Sequence, residues 1–227
     1  MTCTSNTLVR NGMPFIGKVL RQVAPFMDQM VICISESSND GTEAEIKNQL
    51  KDYWSKVIWM TENVKANNKG CDSCYKGKLT EVENEMVRRS NSEWILFLSD
   101  DDYWPEDQLK NCLNELDKDP KILAYSVSPY QLIDLEHYDS SWDKKSFSKF
   151  LKNDELNFKG PWPREMPFSG NISLYHRHSP LVVKKLPYRF YHLSYLKESS
   201  FRKEGWVPDR LRLKPGQAIK MLEPVIL

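Results

Sequence analysis

Residues 94–109 read WILFLSDDDYWPEDQL, and an apolar run there leads directly into three consecutive aspartates. The run at 94–98 lacks polar alternation, which is typical of a strand covered on both faces. Pro105 suits the first position of a helix, and Glu106 and Asp107 would then lie in its first turn, where negative charge is favourable. The segment therefore predicts a buried strand, an acidic loop and a helix. Adjacent carboxylates repel one another, so the loop also indicates a bound cation.

The same alternation of strand and helix recurs on both sides of this segment. The predicted strands are residues 2–9, 30–34, 57–59, 94–98 and 122–127. Apolar residues at helical spacing follow the first, third and fourth strands, and the first helix should end before Pro25. A capping box formed by Thr42 and Glu45 predicts a helix after the second strand, beginning at about Glu43. This order predicts an α/β fold with a mainly parallel central sheet and helices on both faces. Ligands of such sheets bind at the carboxyl ends of the strands, where residues 35–41 and 99–102 fall.

Length and composition predict one domain over residues 1–227. The chain is 40% hydrophobic and 11% aromatic, which is enough to bury one sizeable core. Residues 1–116 carry the regular alternation, and residues 117–227 are less regular. The aromatic-rich stretch at 137–166 predicts mixed strands and short helices that cover one rim of the sheet.

Cysteine content and hydropathy predict a cytoplasmic location. The longest apolar runs are far shorter than the roughly 18 residues that a membrane span needs, and Met1 is not followed by the basic segment of an export signal. Five cysteines is an odd number, and Cys33 lies in an apolar run where a reduced thiol is expected. Cys71 and Cys74 form a single C-x-x-C without further ligands nearby, so we do not expect a structural metal there.

Positive charge is concentrated at the C-terminal end of the chain. Residues 176–227 hold 11 Lys and Arg against four acidic residues, a net +7, whereas the rest of the chain carries −6. Two interpretations stay open: a surface that contacts an anionic partner such as a nucleic acid, or a solvated basic face.

The aspartates themselves indicate a metal and a phosphorylated substrate. Carboxylate oxygens suit Mg²⁺ or Mn²⁺, and a site with few protein ligands leaves coordination positions for substrate phosphates. The alternative is a solvated turn that caps the following helix.

Three blocks of the sequence resemble the family 2 glycosyltransferases with the GT-A fold. Residues 97–109 resemble the family's F-L-D-x-D-D-x-W-x-P-E-x-L, VICISESSNDGT at 31–42 resembles V-V-V-D-x-x-S-x-D-G-T, and TLVRN at 7–11 resembles the first strand and its turn. The blocks keep the family's order over residues 2–116. The resemblance implies a Rossmann-like GT-A fold, as in small soluble, phage-type members, in which residues 1–116 bind a nucleotide-sugar donor and residues 117–227 form an irregular acceptor-side half.

The resemblance also implies a set of site residues. Ser35 stands where the family has a base-recognising aspartate, so either Glu36 makes that contact or the nucleotide is not the common uridine. Ser99 stands at the first aspartate of the D-x-D motif, which implies a motif shifted to Asp100 and Asp102, with Asp101 at the family's principal metal position. The implied donor-binding residues are Thr7, Val9, Arg10, Asn11, Ser35, Glu36, Asp40, Lys78 and Asp100.

A metal ligand from the C-terminal half is implied as well. His192, in YHLSYL, resembles the H-x-S-Y segment that ends some soluble members, although a lone histidine between aromatic residues is usually packed in a core. The implied ligands of Mn²⁺ or Mg²⁺ are Asp100, Asp101, Asp102 and His192. On the like-charge argument, we expect Asp102→Ala to leave the metal-free fold intact or slightly stabilised.

The implied reaction moves a sugar from a nucleotide-sugar to an acceptor hydroxyl, with Glu165 as the general base. The acceptor is a saccharide, a lipid-linked sugar or hydroxymethylated DNA, and in the last case the basic C-terminal region would contact phosphates. Two alternatives stay open: an inert sugar- or nucleic-acid-binding module, and a nucleotidyltransferase, although RNGMP at 10–14 is not the Gly-rich loop that a nucleotidyltransferase would carry.

Overall fold

An eight-stranded sheet organises the chain in the computed structural model, which describes residues 1–62, 79–159, 166–169, 172–174, 181–196 and 218–221. The helices are α1 (Ile16–Val23), α2 (Thr42–Gln49), α3 (Leu79–Arg89) and α4 (Glu106–Leu113). The strands are β1 (Cys3–Val9), β2 (Gln29–Ser35), β3 (Val57–Glu62), β4 (Trp94–Phe97), β5 (Asp102–Tyr103), β6 (Ala124–Gln131), β7 (His137–Asp139), β8 (Phe147–Lys152), β9 (Leu156–Lys159), β10 (Met166–Ser169), β11 (Ile172–Ser173), β12 (Val183–His192) and β13 (Ala218–Lys220).

The central sheet is mainly parallel and confirms the predicted α/β class. Its strand order is β3-β2-β1-β4-β8-β6-β12-β5. Strands β1 to β4 pair in parallel, β8 runs antiparallel between β4 and β6, β12 is parallel to β6, and β5 pairs antiparallel at the edge. Two small sheets, β9-β10-β11 and β7-β13, complete the described strands.

Helices pack on both faces of the sheet, as the sequence predicts. Ile32 of β2 belongs to a large cluster with residues of α1, α2 and α4, whereas its neighbours Val31 and Cys33 pack with Val82 and Met86 of α3. Because successive residues of a strand point to opposite faces, these contacts place α3 on one face and the other helices on the opposite one.

The predicted boundaries hold for most elements, with two corrections. The capping box is wrong: Gly41, at φ +90°, occupies the N-cap of α2, and the Thr42 hydroxyl instead donates to Asp40 Oδ1 at 2.6 Å. The segment at 137–166 does contain mixed strands, but it does not only cover a rim, because β8 lies in the middle of the central sheet.

Three cysteines in the described ranges are buried, unpaired thiols, which agrees with the prediction for Cys33. They are Cys3, Cys33 and Cys112, and burial raises the pKa of Cys33 to about 12, so this thiol is unreactive at neutral pH. Cys71 and Cys74 lie outside the described residues. In the described part of the chain, no helix combines the length and apolar character needed to cross a bilayer.

Trp104 anchors the acidic segment in the core and supplies a stability test. Its ring is fully buried, stacked on Phe190 at 5.1 Å and edge-on to Phe150 at 5.6 Å between centroids. Trp104→Ala should lower the free energy of unfolding by about 3–5 kcal/mol in denaturant titrations, since it leaves a large cavity. The matched change Trp54→Ala removes a ring that is 40% exposed, and it should cost less than about 1.5 kcal/mol. Equal losses in the two variants would contradict this assignment of the core.

Candidate functional site

The short strand β5 brings the acidic triplet against β12, from the other end of the chain. In this antiparallel pair, Asp102 is opposite His192 and Tyr103 is opposite Tyr191. The Leu193 N–H also donates to the Asp101 carbonyl oxygen at 2.8 Å. These backbone contacts place His192 beside two aspartates that precede it by about 90 residues in the sequence.

Asp101, Asp102 and His192 form a compact group of potential metal ligands. His192 Nδ1 lies 3.0 Å from Asp102 Oδ1 and 3.5 Å from Asp101 Oδ1. One ligand atom from each of the three residues lies within 4.8 Å of the others. We call these three side chains the acidic cluster.

A buried lysine that the sequence analysis missed completes the charge arrangement. Lys149 of β8 forms an ion pair with Asp102 Oδ2, which also accepts a hydrogen bond from the Ser99 N–H at 3.1 Å. The side chains of Lys149 and Asp102 are only 10% and 1% exposed. The available signal was a lysine inside the strand FSKFLK, because lysines are almost never buried without a partner.

The charges in this group shift the pKa values of its members. Burial alone would raise the pKa of Asp102, but the Lys149 ammonium and the His192 hydrogen bond outweigh it and hold that pKa well below its usual range. Burial would lower the pKa of His192, yet the carboxylates of Asp101 and Asp102 more than compensate and raise it. Asp102 is therefore an ionised carboxylate at neutral pH.

An aromatic side chain covers the histidine of the cluster. The Trp142 ring stacks on the His192 ring with centroids 5.8 Å apart and planes inclined by 29°. The Lys145 ammonium in turn lies 3.5 Å from the Trp142 ring centroid. The imidazole is thus oriented by a stacked ring on one side and the two carboxylates on the other.

Asp100 points to a different place from its two neighbours. It lines a cavity of about 300 Å³ together with Asn6, Ser99 and Lys149. It also lies close to the β1 loop: a Cβ added to Gly12 would be 3.3 Å from Asp100 Cβ and 2.6 Å from a methyl of Val9, so this approach requires glycine. The structure therefore groups three of the four implied metal ligands, Asp101, Asp102 and His192, and the role of Asp100 as a fourth stays a prediction.

The loops after β1 and β2 are tied together by Asp40. Its Oδ2 accepts from the Met13 N–H at 3.0 Å, and its Oδ1 accepts from the N–H and the hydroxyl of Thr42. Thr42 Oγ1 in turn accepts from the Gly12 N–H at 2.7 Å. The carboxylate of Asp40 thus holds the predicted donor-site loops in position.

The remaining predicted site residues have varied surroundings, and their roles stay predictions. Thr7 and Val9 are buried in β1, so their side chains support the site from within the sheet. Ser35 is buried and hydrogen-bonded to Ser37 at 2.8 Å, whereas Glu36 is exposed. Arg10 and Asn11, at the turn after β1, are both half-buried, and Asn11 has a positive φ of +53°. Lys78 and Glu165 lie outside the described residues.

Comparison with known families identifies one match. Residues 82–179 match the family model described as Glycosyl transferase family 2, which confirms the resemblance drawn from the sequence. The matched segment contains the acidic triplet and Lys149, and it ends before His192. A search of curated proteins found no match.

Three solved structures are similar to this chain at low sequence identity. Residues 1–349 of S. aureus TarS are 13% identical with a TM-score of 0.48, and the alignment covers 86% of this chain and 61% of TarS 1–349. The inositol-1-phosphate CTP transferase from T. maritima is 10% identical with a TM-score of 0.43, over 89% and 92% of the two chains. Mannose-6-phosphate isomerase from Helicobacter pylori is 16% identical with a TM-score of 0.38, over 66% and 61%. Our chain thus spans about three fifths of the TarS fragment.

The pairing of Lys149 with Asp102 gives a prediction that replaces the earlier one for Asp102→Ala. Removing either partner leaves the other charge buried and uncompensated, so Lys149→Met and Asp102→Ala should each destabilise the fold by about 3–5 kcal/mol. The double variant Lys149→Met/Asp102→Asn should recover part of that loss in denaturant titrations. The like-charge argument overlooked Lys149, whose ammonium already neutralises Asp102.

Acid titration and a control on the same strand complete this test. The pKa of Asp102 is lower in the folded than in the unfolded chain, so the stabilisation is present above about pH 4 and is lost as the pH falls below it. The difference in the free energy of unfolding between the wild type and the double variant should therefore shrink as the pH falls. Lys152→Met, on β8 but outside this pair, should have little effect. Equal stability of Lys149→Met and the double variant would show that the pair is not coupled.

Proposed function

We propose that this protein, in which residues 82–179 form a family 2 glycosyltransferase segment, is a metal-dependent enzyme that transfers a sugar from a nucleotide-sugar donor to an acceptor hydroxyl. The observation that carries the proposal is the acidic cluster at the carboxyl end of the central sheet, beside a cavity of about 300 Å³. This is the edge at which parallel α/β sheets bind their ligands.

The residues of the acidic cluster fit a divalent ion. Two carboxylates and one imidazole offer oxygen and nitrogen ligands, a set that suits Mn²⁺ and, through the carboxylates, Mg²⁺. Lys149 neutralises one of the two negative charges, so the group retains a net negative charge when His192 is neutral. Asp101, Asp102 and His192 would hold the ion. When bound, it supplies positive charge that stabilises the departing nucleoside diphosphate.

One cationic side chain of the cavity lining can contact a diphosphate. Lys149 is already paired with Asp102, so its ammonium offers a hydrogen-bond donor with little net charge. Because Glu83 and Asp100 also line the cavity, the positive charge that attracts a diphosphate would come from the bound ion. Asn6 lines the same cavity, and its buried Nδ2 has no hydrogen-bond partner among the described residues. Asp100, at the same cavity, is placed to accept hydrogen bonds from the hydroxyl groups of a ribose or sugar.

The general base and the acceptor belong to the less regular half of the chain. Glu165 stays our candidate for the base that accepts the proton of the acceptor hydroxyl. The acceptor is a saccharide, a lipid-linked sugar or hydroxymethylated DNA. Residues 176–227 are rich in Lys and Arg, which attract phosphate groups, and DNA is therefore one of the three candidate acceptors.

Substitutions in the acidic cluster test the proposed activity. Asp101→Asn and His192→Ala should each lower the release of nucleoside diphosphate from a panel of sugar nucleotides with Mn²⁺ by at least about 100-fold, because each removes a ligand. Asp134 and His137 form a similar pair on the surface, with Nδ1 2.9 Å from Oδ1, and Asp134→Asn and His137→Ala are the matched controls. The controls should keep wild-type turnover. A chelator should abolish turnover in the wild type and in both controls.

Other outcomes of that assay would contradict the proposal. Full activity in Asp101→Asn and His192→Ala would mean that the metal site is placed wrongly. Nucleotide binding without turnover of any donor would favour an inert module. Release of pyrophosphate from a nucleoside triphosphate and a sugar phosphate would favour a nucleotidyltransferase.

The salt dependence of binding separates DNA from the neutral acceptors. If DNA is the acceptor, affinity for a hydroxymethylated duplex should fall at least about tenfold between 50 and 200 mM salt, because binding releases counterions from the phosphates. An unmodified duplex should bind similarly but accept no sugar. Absence of binding, or binding that salt does not change, would exclude DNA and leave the saccharide and lipid-linked acceptors.

A further inference from the structure

Three tyrosines form a row on the face of the sheet opposite the acidic cluster. They occupy adjacent strands: Tyr103 of β5 is opposite Tyr191 of β12, which is opposite Tyr130 of β6. The ring of Tyr191 lies between the other two, at centroid distances of 6.5 and 5.7 Å and interplanar angles of 23° and 28°. Because side chains alternate along a strand, the same pairing that joins Asp102 to His192 on one face forms this row on the other.

The tyrosine row borders a large cavity that the proposed transfer reaction does not use. The cavity has a volume of about 690 Å³, within the ~300–1,000 Å³ range of small-ligand sites. All three tyrosines are half-buried, and Tyr103 ends the row on the edge strand of the sheet. The cavity therefore offers an aromatic wall that is partly open to solvent.

Polar groups of both hydrogen-bonding types surround the aromatic wall. Gln22 and Gln108 contribute amides, and Glu106 and Asp107, both exposed, contribute carboxylates from the start of α4. The Arg189 guanidinium lies 4.4 Å from the Tyr130 ring centroid and donates to Asp143 at 2.7 Å. This guanidinium is already paired with a carboxylate, so it adds hydrogen-bond donors with little net positive charge.

From this arrangement we infer that the cavity is a binding site for a neutral oligosaccharide, separate from the donor site. A sugar ring has an apolar C–H face, which packs on the electron-rich face of an aromatic ring, and hydroxyl groups that need donors and acceptors around it. Tyr103, at the end of the row, would provide that face, because Tyr191 lies between two rings and Arg189 lies over Tyr130.

Of the two carboxylates of α4, Glu106 is paired with Lys110, whereas Asp107 accepts from a neutral amide and so repels phosphate and sulfate groups. Arg189 is likewise paired, with Asp143, so the wall carries little net charge and suits a neutral ligand.

The inference goes beyond the proposed transferase activity and does not depend on it. Asp102 and His192 lie on the opposite face of β5 and β12 from Tyr103 and Tyr191, and neither Asp101 nor His192 lines this cavity, so an oligosaccharide in it would not contact them. Its function would be to hold a saccharide chain on the enzyme, whichever group accepts the transferred sugar.

Titration of the whole chain with defined oligosaccharides tests the inference. The probes are maltotetraose, cellotetraose and chitotetraose. Their binding is measured by calorimetry and saturation-transfer NMR, without metal or nucleotide. At least one should bind with a dissociation constant of about 1 mM or tighter. Tyr103→Ala should weaken that binding at least tenfold, and Tyr53→Ala, a half-buried tyrosine in the 3-10 turn Lys51–Lys56, should leave it unchanged.

A second variant keeps the test valid if Tyr103→Ala does not fold. Asp107 is exposed and its carboxylate accepts a hydrogen bond from Gln108 Nε2 at 2.8 Å, so Asp107→Ala should fold normally and weaken binding at least threefold. Failure of all three probes to bind, or unchanged affinity in the folded variants, would overturn the inference. Because no metal or nucleotide is present, such a failure leaves the transferase proposal intact, and loss of turnover in Asp101→Asn does not bear on this site.

Discussion

The buried contact between the Lys149 ammonium and the Asp102 carboxylate is the interaction around which the candidate site is arranged. An ionised carboxylate with almost no exposure is costly unless charge and hydrogen bonds compensate it, and here an ammonium, an imidazole and the Ser99 N–H do so together. The carboxylate, the ammonium and the imidazole belong to β5, β8 and β12, which come from distant parts of the sequence. The contact therefore fixes the relative positions of these strands as well as the charge of the site.

The acidic loop is held from two further directions. Beneath it, the Trp104 ring is packed between Phe150 and Phe190, so the residue that follows β5 cannot shift without disturbing the core. Beside it, the β1 loop approaches Asp100 closely and is itself tied by Asp40 and Thr42 to the start of α2. A site whose side chains are fixed in this way loses little entropy when a ligand binds. The aspartates are thus preorganised by packing and hydrogen bonds that involve no ligand.

The sequence predicted the regular elements well because their signals are local. Apolar spacing and Pro25 located the end of α1, and unbroken apolar runs located β2 and β4. Long-range pairings had no such signal: nothing local indicates that β8 inserts between β4 and β6, and so Lys149 was missed although its position in an apolar strand was visible. The sequence also did not separate Asp100 from Asp101 and Asp102, since the spacing of three consecutive aspartates does not show which of them face β12. His192 was found only through the family resemblance.

The two-residue strand β5 also constrains when the site can form. Its partner on β12 lies about 90 residues later, so the pairing closes a long loop. The conformational entropy lost on closing this loop must be offset before the pairing contributes to stability. During synthesis, the first half of the sheet is complete well before His192 has left the ribosome. A nascent chain can thus form the parallel core of β1 to β4 early. Asp102 cannot pair with Lys149 and His192 until both residues have been synthesised. The contacts of Asp102 with Lys149 and His192 are therefore among the last of these sheet contacts that a growing chain can form.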